Sequence, residues 1–186
     1  MSKKYEITDT TNPYVPRLRR IRALRDIPTA GVKAGDLGGW VEGERNLAQE
    51  GEAWVRGEAR VYDMALVFGS ARVSGSALVS GSALVSGSAW VSGSAWVSGS
   101  AIVQSNEDIV HSMVLASDQY AATLHLTTDG HLLTVGCWRG TVPEFRTMIE
   151  GDEWVEATPD QIELRRPELL AFTAMCEARI ATWEKP

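Results

Sequence analysis

The sequence predicts a mainly β protein built around a parallel β-helix, with short N-terminal strands and a small C-terminal α/β domain. Two periodicities carry that expectation. An aliphatic residue recurs at every sixth position, at Val55, Val61, Val67, Val73, Val79, Val85, Val91, Val97 and Val103. A small residue follows each of the first eight by four positions, at Ala59, Ala65, Ala71, Ala77, Ala83, Ala89, Ala95 and Ala101. The stretch "GSALVSGSALVSGSAWVSGSAWVSGSA", Gly75 to Ala101, has the composition of a flexible linker. A linker does not hold nine valines in register, whereas stacked β-coils require it.

Taken in order, residues 1–36 read as N-terminal strands forming a cap. "KYEIT" alternates weakly, and "LRRIRALRD" places Arg20 and Arg22 on one side and Ile21 and Ala23 on the other if extended. Arg17, Arg19, Arg20, Arg22 and Arg25 fall within nine residues. Arginine favours planar, bidentate recognition of carboxylate or phosphate. The plainer expectation is that these arginines pair with the acidic C-terminal region or with a neighbouring subunit.

Residues 37–106 carry the repeat. Its V-x-G-S-A-x pattern resembles the hexapeptide repeat of left-handed β-helices. That resemblance implies three hexapeptides per triangular coil, the aliphatic residue filling the prism and the small residue packing near a corner. Glycines at the corners, such as Gly75 and Gly93, tolerate backbone angles that a Cβ penalises. In "GDLGGWVEGERNLAQEGEAWV", Leu47 lies six residues after Val41 and eight before Val55, an opening coil with a two-residue insertion. About four coils are therefore expected between Leu37 and Val103, with strands ~4.8 Å apart.

Eighteen-residue stacking sorts the outward residues onto three faces. One stacks Trp54, Arg72 and Trp90; a second Arg60, Leu78 and Trp96; a third Leu66, Leu84 and Ile102. Bare aliphatic and aromatic ladders are unusual on a monomer. Self-association, with a trimer expected, is the plainer explanation. The sharper one makes Trp54, Arg72 and Trp90 a ligand platform, an Arg between two rings serving cation–π contact and anion binding.

Residues 107–186 read as the C-terminal α/β domain. "ATLHLT" and "HLLTVGCW" form a hairpin around Asp129-Gly130, with Leu124, Leu126, Leu133 and Val135 on its buried face and His125 opposite Thr134 on the other. "TVPEFRTMI" reads as a short helix. Thr158-Pro159-Asp160-Gln161 matches a capping box, followed by an apolar stripe of Leu169, Phe172, Cys176, Ile180 and Trp183, with Pro167 restarting or kinking that helix.

Composition narrows the function. The net charge of −6 hides an asymmetry, with +5 over residues 1–34 and −8 over residues 104–186. An acidic chain is a poor reader of DNA grooves. No apolar run has membrane-helix length, the N-terminus lacks a secretory signal core, and Cys137 and Cys176 suggest neither a disulfide framework nor a metal cluster. A cytoplasmic protein without cofactor is expected.

"RIRALRDIPTAGVKAGDLGGWVEGERNLAQEGEAWV", the hexapeptide run and "HLLTVGCWRGTVPEF" together resemble a group of bacteriophage and prophage proteins with a KAGDLGGWVE-type entry, a β-helix of variable length and a GCxxGTxxEF-type tail. The resemblance implies a phage origin, hence a host-cell cytoplasm, and a fold; it implies no reaction.

Three function classes follow. Many hexapeptide proteins are acyltransferases using a histidine base near a coil edge. Here His111, His125 and His131 all follow the repeat and no loop leaves it, so no catalytic residue or metal set is assigned and a non-enzyme is expected. A second class captures a small anionic nucleotide, an immune signal of the host, and so counters host defence as a sponge. Its candidate binding residues are Arg17, Arg19, Arg20, Arg22, Trp40, Trp54, Arg72 and Trp90. The third is a rigid scaffold or oligomeric protein-binding module.

Overall fold

A computed structural model describes residues 3–114, 120–151, 154 and 157–184. Its centre is a β-solenoid of two-residue strands stacked in parallel. Strands β1 (Tyr5–Thr11) and β2 (Arg19–Ala23) precede it, and β3 (Leu37–Val41) enters it. Nine short strands follow: β4 (Trp54–Val55), β5 (Arg60–Val61), β6 (Leu66–Val67), β7 (Arg72–Val73), β8 (Leu78–Val79), β9 (Leu84–Val85), β10 (Trp90–Val91), β11 (Trp96–Val97) and β12 (Ile102–Val103). They make three sheets, β3-β5-β8-β11, β4-β7-β10 and β6-β9-β12.

The register is the eighteen-residue one: Trp54, Arg72 and Trp90 stack, as do Arg60, Leu78 and Trp96, and Leu66, Leu84 and Ile102. Trp40 joins the second of these ladders, opposite Arg60. Leu47 bridges to Val67 while Val55 pairs with Val73, so the first coil is longer by two residues between Leu47 and Val55.

Every repeat valine and alanine is fully buried. Alternating Val with Ala fills the narrow interior, each buried valine contributing about 1.5–3 kcal/mol relative to exposure. Each coil also bonds to the next through its backbone: Arg72 N–H donates to Ala89 O at 2.8 Å and Leu78 N–H to Ala95 O at 2.9 Å. The corners are left-handed. Gly75 has φ 68, and a Cβ there would lie 2.8 Å from Gly93 O. Asp63 occupies a corner at φ 56, with its carboxylate accepting from Gly81 N–H at 3.2 Å.

The N-terminal strands extend the first sheet, β1 and β2 running antiparallel beyond β3. Ile21 and Ala23 turn inward with Tyr5, Ile27 and Val32 and join the solenoid core.

After the solenoid, β13 (Ile109–Val114), β14 (Tyr120–Thr127), β15 (Gly130–Val135) and β16 (Trp138–Gly140) form an antiparallel sheet. Helices α1 (Val142–Glu150) and α2 (Pro159–Trp183) pack on its Ala122–Leu124–Leu133–Val135 face, with Phe172 and Cys176 buried there and Leu169, Ile180 and Trp183 partly so. Thr141–Glu144 and Thr158–Gln161 both form capping boxes. Helix α2 runs on through Pro167. The hairpin register differs from expectation in one place: Thr127 pairs with Gly130, a two-residue turn that sets His125 opposite Leu132 and Thr134 opposite Thr123.

Candidate binding faces

The Trp54–Arg72–Trp90 ladder exists as a stack, but its members have different surroundings. Trp54 is only 2% exposed. Its ring meets Tyr5 edge-on at 6.5 Å and lies against Gly38, where any Cβ would come within 2.7 Å of it. Stacking on a ligand there would require the N-terminal strands to lift. Arg72 reaches sideways to donate to Thr29 O. Trp90 is 54% exposed, its indole N–H donating to Ser74 Oγ at 3.2 Å.

Arg17 and Arg20 are drawn to carboxylates of the first coils, and Arg22 to one in β1, rather than to the acidic C-terminal region. Arg20 pairs with Glu58 at 2.9 Å and lies 4.6 Å over the Trp40 ring, whose Nε1–H donates to the same carboxylate at 2.9 Å. Those bonds, from Arg20 first and Trp40 second, hold the Glu58 carboxyl below its ordinary range. Arg17 pairs with Asp63 at 3.3 Å and Glu42 at 3.8 Å and covers Tyr62 at 5.0 Å. Arg22 pairs with Glu6 at 3.2 Å. Arg19 is exposed at the start of β2. Of the candidate residues, Arg20 and Trp40 form one cluster, and Trp54, Arg72 and Trp90 share a ladder on another face. Glu58 and Tyr62 were the partners that residue type alone did not single out.

The third face is the most apolar. Leu84 is 39% exposed, with Leu66 and Ile102 half-buried beside it; Met64, in the turn before β6, and Phe68, directly after it, are 67% and 36% exposed.

The two ends of the solenoid are closed by side chains that stand in for missing coils. At the first coil, Lys4 Nζ donates to Ala53 O at 2.9 Å, Tyr5 OH to Leu47 O at 2.6 Å and Arg25 Nη2 to Gly51 O at 3.0 Å. In the next coil the equivalent carbonyls of Ala71, Val67 and Gly69 take backbone N–H groups instead. Burial draws the Lys4 ammonium down to about 8, with Arg25 adding to the effect. At the last coil the sense reverses. Trp90 N–H donates to Asn106 Oδ1 at 2.8 Å, Trp96 N–H to Thr123 Oγ1 at 3.1 Å and Ser98 N–H to His125 Nε2 at 3.4 Å.

His125 is therefore structural. Its Nε2 accepts, which leaves Nδ1–H to donate to Leu126 O at 3.3 Å. Burial lowers its pKa to about 4, and nearby Arg139 pushes the same way. His111 Nδ1 contacts Ala122 O and Thr123 Oγ1, both at 3.1 Å, and His131 Nε2 accepts from Val142 N–H at 3.0 Å. Burial pushes the Cys176 thiol up to about 12. Among the described residues no cluster of three His, Cys, Asp or Glu side chains could hold a metal, and no helix is long and apolar enough to cross a membrane.

No protein-family model matches the chain, and no curated protein gives a significant match to it.

Proposed function

We propose that this protein is a non-catalytic scaffold, a stiff capped solenoid that assembles with copies of itself through the Leu66–Leu84–Ile102 face. The observation that carries the reading is that ladder's uncharged, partly exposed side chains, with Leu84 uncovered and the exposed Met64 and Phe68 bracketing β6 in sequence. Soluble monomers rarely leave such a contiguous apolar patch bare. A second copy offers an uncharged ladder with the same ~4.8 Å repeat, so the side chains of one can interdigitate with those of the other. In its finer form the solenoid is left-handed, three copies gather around a three-fold axis, and the protein is phage-derived and works in the host cytoplasm.

Native mass spectrometry and sedimentation test the reading. The wild type is expected as a trimer at micromolar concentration, and Leu84→Glu as a monomer with unchanged far-ultraviolet circular dichroism. A monomeric wild type would refute it.

Capture of an anionic nucleotide that signals host defence stands as a second reading. Trp90 favours it: an exposed indole on the same ladder as Arg72, which has no carboxylate partner among the described residues. Signalling nucleotides added to the same spectra are expected to add stoichiometric mass, abolished by Trp90→Ala. A panel recovered free and intact would remove this reading and leave the scaffold.

A further inference from the structure

At the seam between the last coil and the C-terminal sheet, two buried polar atoms have no hydrogen-bond partner: the Trp96 indole Nε1 and the Thr134 hydroxyl. Native proteins satisfy nearly all such groups, so two orphans in one place require a cause. They belong to a single cluster. Thr134 lies opposite Thr123 on one side and Arg139 on the other. Thr123 receives the Trp96 backbone N–H. The Arg139 guanidinium sits 4.4 Å over the Trp96 ring and donates to Ser98 Oγ.

The chemistry of this cluster is one-sided. Arginine and indole only donate, and the threonine and serine hydroxyls are able to. His125, in the same seam, has both ring nitrogens engaged. Among the described residues no carboxylate pairs with Arg139, whose side chain is exposed and held by one hydroxyl and a ring. We propose that the seam binds a small oxyanion, gripped by Arg139, the Trp96 indole N–H and the Thr134 hydroxyl. Arg139 turns outward from the Trp96 ring to admit it, exposing the two orphan atoms. The arginine fork matches two oxygens of a phosphate or carboxylate, leaving the indole and hydroxyl to meet the rest.

Nitrogen–proton correlation spectra report the Trp96 indole N–H directly. Inorganic phosphate and, in a separate titration, acetate distinguish the two kinds of oxyanion. At least one is expected to move the Trp96 resonance saturably. Arg139→Gln is expected to weaken that binding at least tenfold. Thr134→Val separates a binding hydroxyl from a structural one. Removing an orphan leaves the melting temperature unchanged or raises it, while binding weakens severalfold. If neither anion moves the Trp96 signal, or Arg139→Gln binds as the wild type does, no such site exists. A Thr134→Val protein that melts well below the wild type would also overturn the proposal, because the hydroxyl would then have a structural partner.

Discussion

Acid should loosen the C-terminal end of the solenoid through His125. Its imidazole is fully buried and serves the last coil as an acceptor, so it is neutral in the folded protein. The folded pKa of about 4 lies below the ordinary 6.5. Between those values the unfolded chain holds a proton that the folded chain refuses. The His125 contribution is therefore complete above pH 6.5, declines as the pH falls, and is lost below about 4. At ~1.4 kcal/mol per pKa unit, the whole excursion amounts to about 3 kcal/mol. Urea denaturation from about pH 7.5 down to about pH 4 measures it. His125→Gln supplies the reference, because glutamine keeps an acceptor for Ser98 N–H and takes up no proton. The wild type is expected to lose about 3 kcal/mol more than His125→Gln over that range. Equal losses would show that His125 is not held neutral and that its bond to Ser98 contributes little.

Three further outcomes follow from the solenoid itself. Gly75→Ala, at φ 68 and with Gly93 O in the way, is expected to cost about 2 kcal/mol or more in chemical denaturation. Tyr5→Phe removes the phenol that caps Leu47 O and leaves a buried carbonyl unpaired; a loss of about 1–3 kcal/mol is expected, read by the same assay. Ala83→Leu forces three extra carbons into a filled prism, and a loss of about 1–3 kcal/mol with a lowered melting temperature is expected.

The coils were legible because their constraint is local and repeated. Val at every sixth position and Gly at the corners each state the same geometry nine or seven times over, and the two-residue excess before Val55 was visible as a break in the count. The outward ladders followed from that arithmetic. What covers them did not. Trp54 and Trp90 occupy equivalent strand positions, yet one lies beneath Tyr5 and the other in solvent, because the N-terminal strands cover the start of that ladder and not its far end. The arginine cluster suggested a ligand by residue type. Its partners Glu42, Glu58 and Asp63 are separated from it by a chain reversal that composition does not encode. The solenoid ends were hidden for a related reason. Lys4, Tyr5, Thr123 and His125 act as single atoms replacing peptide groups, and no pattern marks them.

Three strands per coil, closed after eighteen residues, make the solenoid behave as a screw between two fittings. Adding one hexapeptide would turn the C-terminal sheet by a third of a revolution relative to the N-terminal strands; adding three would move it ~4.8 Å along the axis with no turn. Each fitting bonds to the coils near its own end, so an insertion between them would leave those bonds in place. Slippage within one near-identical stretch of sequence can thus lengthen the spacing by whole coils at constant bearing, or change bearing and spacing together by single hexapeptides, without altering a residue at either end.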